Sequence, residues 1–240
     1  MSEIKKKEKK EKKVVKKTPN KVYLTSFDIG KKNFAFIIEE ISLTKVKKLV
    51  KIDKKSRYKP DGSPTVAFEK ELKKLYKCGK VILVRNLDLT KDCNPKLTLD
   101  DHTYVNMLDV LEEYKEYWDK CEHIIIEKQM SFRGKYNVMA MKLAAFCFSY
   151  FKINYRETKS IIDYPAFHKT QVLGAVKAEV KQKYKRKKWA VSKAKEILEF
   201  RKDASSLEEF ENKKKRDDIS DCLLMTISYT YLKFIDGNYK

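Results

Sequence analysis

Residues 22–38 constrain this chain more than any other stretch. Positions 22–29 are rich in β-branched and aromatic side chains and positions 34–38 are all apolar, which predicts two strands. Gly30 predicts the tight turn between them, because glycine tolerates backbone angles that other residues avoid. Asp28 is the discordant residue. A carboxylate in an apolar strand is costly to bury unless it is paired or binds a metal. An Asp beside a turn can also simply cap that turn. Asp28 therefore gains a further meaning only if other carboxylates aim at the same place.

The chain beyond this hairpin alternates strand and helix signals. A Lys-alternating strand is expected near 45–52. Residues 53–79 read as an insertion, loop-like at first and then a short helix over 66–76. A strand follows at 81–89, and Pro95 keeps 92–98 irregular. Val105, Leu108, Leu111 and Trp118 predict one helix over 100–120 with those four side chains inward. Ile124, Ile125 and Ile126 in succession predict a strand buried on both faces, hence central and parallel, and it ends at Glu127. An apolar helix over 139–151 and a strand over 153–158 come next. The last third is helical and basic. Its final helix, 216–234, carries Asp218 and Asp221 three apart and so on one face. The order is that of an α/β protein, a mixed sheet with helices on its faces. One domain is expected over 22–240, after a tail, 1–21, whose ten Lys and three Glu read as disordered.

Charge narrows the function. The 240 residues hold 55 Lys and Arg against 34 Asp and Glu, a formal net charge of +21. Such a field favours a polyanion, most simply nucleic acid. No apolar run is long enough to cross a bilayer, and the charged run at 5–17 is unlike a signal peptide. Five scattered cysteines without a C-x-x-C pair read as reduced thiols, mostly in the core, of an intracellular protein. Lys31, Lys32, Arg133, Lys185, Arg186, Lys187 and Lys188 are candidate DNA contacts.

Asp28, Glu127, Asp218 and Asp221 form the acidic set. Each has a plain alternative. Glu127 can pair with Lys128 or Arg133, and the aspartates at 217, 218 and 221 suit a helix N-terminus. Together they match what Mg²⁺ requires, a few carboxylates plus substrate phosphates. Two such ions, with Mn²⁺ able to substitute, clamp the attacking and leaving oxygens of a phosphoryl displacement.

Four pieces in order carry a resemblance: residues 26–33 around Asp28, 125–129 around Glu127, 164–170 with Pro165 and Lys169, and 218–224. Together they resemble the RuvC-type Holliday junction resolvases of the RNase H-like superfamily, nearest to the branch of poxviruses and other large DNA viruses. The resemblance implies a five-stranded mixed sheet. It also implies Mg²⁺-dependent cleavage of four-way DNA junctions by a homodimer in recombination and repair, with two ions per site. It places the catalytic and metal-binding carboxylates at Asp28, Glu127, Asp218 and Asp221, a catalytic lysine at Lys169, and a second lysine at Lys188. A viral member would act in the host cytoplasm or a viral factory, or in the nucleus. A non-catalytic nucleic-acid binder and another RNase H-like nuclease are the alternatives. An actin-like phosphotransferase is disfavoured, because the six glycines are not clustered.

Overall fold

The computed structural model describes residues 19–129, 137–212 and 215–239. Strands β1 (Lys21–Ile29) and β2 (Phe34–Ser42) form the expected hairpin. Its turn closes through Gly30 N–H to Asn33 O at 3.0 Å. Glycine is needed there for closeness and not for an unusual φ, since a Cβ would stand 3.1 Å from the Asn33 carbonyl oxygen.

Next come α1 (Leu43–Val46), α2 (Val66–Tyr76), β3 (Gly79–Leu87), α3 (Asp101–Glu113), α4 (Lys115–Lys120) and β4 (His123–Lys128). Then follow α5 (Val138–Tyr155), β5 (Ser160–Pro165), α6 (Phe167–Val172), α7 (Lys177–Val180), α8 (Lys183–Arg201), α9 (Ala204–Glu211) and α10 (Arg216–Tyr231). The sheet order is β3-β2-β1-β4-β5. β1, β2 and β3 are antiparallel neighbours, whereas β4 lies parallel between β1 and β5. The three isoleucines thus mark a central parallel strand, as their burial from both sides requires. The α/β class and the five-stranded mixed sheet expected from the sequence are the ones observed.

Each face of the sheet buries a core of its own. On one face Phe27, Phe34, Phe36 and Ile126 pack against Trp118 and Phe151 under α3, α4 and α5, with the Phe27 and Trp118 rings 5.3 Å apart. On the other face Leu24, Ile37, Ile125 and Tyr164 meet α2, α8 and α10. Cys78, Cys121, Cys147 and Cys222 are buried free thiols. Burial pushes the Cys121 thiol up to about 12. No described helix is long and apolar enough to cross a membrane.

Three sequence expectations are corrected. The stretch 45–52 is not a strand. Ser42 Oγ accepts from Lys45 N–H and Leu43 and Val46 are buried one turn apart, which closes a helical turn. The helix expected over 100–120 breaks at Tyr114, where the Leu111 carbonyl is taken by the Trp118 indole N–H at 2.8 Å and the Tyr150 hydroxyl at 3.3 Å. Its inward face is Thr103, Met107, Leu111 and Trp118, while Val105 and Leu108 are 52% and 40% exposed. The strand expected over 153–158 begins instead at Ser160. Phe151 and Tyr155, four apart and buried, extend α5 to Tyr155 and leave Ile153 at 73% exposure.

Candidate active site

Strand alternation decides which way each carboxylate points. On β1, Leu24 belongs to the α10 face and Phe27 to the opposite face, so Ser26 and Asp28 stand on the α10 side. On β4 the same logic puts Glu127 with Ile125. The β1–β4 ladder has its last pair at Phe27 and Ile126, so Asp28 and Glu127 follow side by side. Helix α10 crosses this spot because small polar residues let it come close. Ser26 Oγ donates to Cys222 O at 2.7 Å and lies 2.9 Å from Thr226 Oγ1. Asp221, beside Cys222, is thereby carried to the two strand carboxylates.

Lys169 completes the cluster. It follows β5 on α6 and is 4% exposed. Its Nζ donates to Glu127 Oε1 at 2.8 Å and pairs with Asp221 Oδ2 at 2.9 Å. Burial alone would lower its pKa, but Glu127, Asp221 and Asp28 raise it well above the usual value. It is a fixed, desolvated cation.

Three carboxylates around one ammonium do not all ionise easily. Burial, then repulsion from Glu127 and Asp221, pushes Asp28 far up. Burial would also raise Glu127, but the charge and hydrogen bond of Lys169 hold it below the ordinary range. Asp221 is raised by burial more than Lys169 lowers it. Asp218 is pushed up to about 6 by burial and then by Asp217, and its buried Oδ2 has no hydrogen-bond partner among the described residues.

The structure therefore brings the half-buried carboxylates of Asp28, Glu127 and Asp221 together around the buried Lys169, with Asp218 one turn away on α10. Asp217, which stands next to Asp218 in the sequence, pairs instead with Lys187. As the side chains are placed, no three His, Cys, Asp or Glu among the described residues stand close enough to share one ion. The donor set nonetheless suits a hard cation. It is all oxygen, it holds an orphaned buried carboxylate oxygen at Asp218, and Asp28 meets the repulsion of Glu127 and Asp221, which a cation would relieve.

The basic candidates divide. Lys185, Arg186, Lys187 and Lys188 lie exposed on the first turns of α8, and the Arg186 charge reaches Glu127. Lys32 is exposed beside Asp28's turn. Lys31 donates to Leu97 O and Thr98 O and so ties a loop. Arg133 lies outside the described residues. Sequence reasoning missed Ser26 and Thr226, whose hydroxyls seat α10, since an isolated Ser or Thr gives no signal of its partner.

Uncharacterized protein 170L of Invertebrate iridescent virus 6 is 33% identical over 232 residues, covering 88% of this chain and 89% of that one. Uncharacterized protein 97L of Invertebrate iridescent virus 3 is 31% identical over 213 residues, 86% of this chain and 98% of its own. The crystal structure of the yeast mitochondrial Holliday junction resolvase Ydc2 superposes with a TM-score of 0.52 at 12% identity, over 89% of this chain and 82% of that one, a likeness of fold. No family model matches the chain.

Proposed function

The chain belongs to the family of the iridescent-virus proteins 170L and 97L and has a RuvC-like fold, and from its acidic cluster we propose that it is a Mg²⁺-dependent Holliday junction resolvase. The observation that carries this reading is the convergence of Asp28, Glu127 and Asp221 on Lys169 at the carboxyl ends of two parallel strands, with Asp218 beside them. Asp28, Glu127, Asp218 and Asp221 would hold the metal, two Mg²⁺ or Mn²⁺ per site. Bound there, the ions supply Lewis-acid stabilisation to the attacking and leaving oxygens of phosphodiester hydrolysis. Lys169 holds its carboxylates in place and keeps a positive charge in a site poor in water, where charge builds on the phosphorus oxygens. Lys32 and the first turns of α8 would steer the phosphate backbone toward the cluster.

The proposed substrate is a four-way DNA junction in recombination and repair. Cutting it symmetrically needs two sites related by a two-fold axis, hence a homodimer. The exposed side of α5, with Val138 at 58% and Met141 at 41% exposure, supports an interface there. The viral relatives support action inside the host cell. Asp28→Asn, Glu127→Gln and Asp221→Asn should each abolish cleavage with Mg²⁺ yet bind a junction without metal as the parent does. Substantial cutting by any one of them removes that residue from the site.

A further inference from the structure

Lys169 sits on a six-residue helix, too short to hold its own place. α6 packs on α10, and its far end is also held by the segment 57–64, between β2 and β3. Tyr58 Oη donates to Val172 O, at the last residue of α6, at 3.2 Å. The amide of Lys177 donates to Asp61 O at 2.9 Å. Between them Gly174 has a φ of +72°, and a Cβ there would stand 2.6 Å from Pro64 Cδ. Only glycine fits beneath that proline.

The segment is itself anchored. Arg57, 5% exposed, pairs with Asp236 at 2.7 Å. Its Nε donates to Ile52 O at 2.9 Å, and its guanidinium lies over the rings of Phe68 and Tyr231. Tyr231 ends α10, the helix whose other end carries Asp218 and Asp221. The insertion thus joins one end of α10 to the helix that carries Lys169.

We infer that the segment 57–64 is a brace that holds the Lys169 ammonium between Glu127 and Asp221. Tyr58, Pro64 and Gly174 are positioning residues that act through α6. When the brace loosens, α6 shifts and Lys169 leaves at least one of its two carboxylates. The effect on cleavage rests on the nuclease reading, but the effect on Lys169 does not.

The test follows amine-reactive labelling of each lysine by mass spectrometry on the metal-free full chain. Tyr58→Phe removes one hydrogen bond and keeps the ring that packs on Phe68 at 5.2 Å. Labelling of Lys169 should rise about fivefold, the scale of one net hydrogen bond. The exposed Lys73 and Lys120 should label as in the parent. Gly174→Ala should raise Lys169 labelling further; if it does not fold, Tyr58→Phe decides alone. The single-turnover cleavage rate of Tyr58→Phe on a four-way junction should fall by a similar factor with junction affinity unchanged. Unchanged Lys169 labelling in a folded Tyr58→Phe protein overturns the brace. Faster labelling in a chain whose parent cuts no DNA supports the brace and refutes the nuclease reading separately.

Discussion

Lys169 is a buried cation held by two half-buried carboxylates and faced by a third. In the proposed reaction it would stabilise negative charge without the reorganisation that water would need. Lys169→Ala should therefore lower the single-turnover cleavage rate by roughly 10²-fold or more, the scale of losing one preorganised donor. Junction affinity should fall only slightly. An unchanged rate with weakened binding would make Lys169 a substrate anchor. Asp28 and Glu127 were legible in the sequence because one interrupts and the other ends an apolar strand, and Asp218 and Asp221 because they stand three apart at the start of a helix. Lys169 was not legible in that way, being one of 55 basic residues; only the family's spacing of lysine after proline pointed to it. Which of Asp217 and Asp218 turns inward was equally hidden, since Lys187, far off in the chain, decides it.

At the scale of elements, the seating of α10 on the sheet places the site, and its other end contains a titratable contact. His123 opens β4. Its Nδ1 lies 3.0 Å from the Tyr229 hydroxyl of α10, and its ring meets Phe234 at 5.5 Å. Burial, then the charge of Lys233, lowers its pKa from 6.5 to about 4. The unfolded chain therefore takes up the proton first. The contribution is complete above 6.5 and is lost as pH falls toward about 4, on the order of 3 kcal/mol in all. Urea unfolding across that range should show a shallower loss in His123→Gln than in the parent. Parallel curves would place the acid sensitivity elsewhere. Strands and helices with a strong period were readable. The boundaries were set by long-range contacts that local pattern does not contain: Tyr155 buried on α5, and the Leu111 carbonyl captured by Trp118 and Tyr150. The buried pairs Arg201–Glu39 and Arg57–Asp236 join residues 162 and 179 positions apart and were likewise invisible.

For the whole molecule, the surplus of +21 implies binding dominated by phosphate contacts. Deleting residues 1–18, which lie outside the described residues, should weaken junction binding and flatten its dependence on salt, because fewer counterions are released. The cleavage rate at saturating DNA should change little. An unchanged salt slope would mean that the tail takes no part in binding. Chemistry and charge meet in one claim, that this acidic cluster cuts branched DNA with the help of divalent ions. The most direct test incubates the purified full chain with a labelled four-way junction and with a linear duplex of the same sequence, in Mg²⁺ and in EDTA. The account predicts paired, symmetric cuts in the junction that require Mg²⁺, with the duplex left intact. A junction bound tightly but uncut in both Mg²⁺ and Mn²⁺, or cut equally well in EDTA, would contradict it.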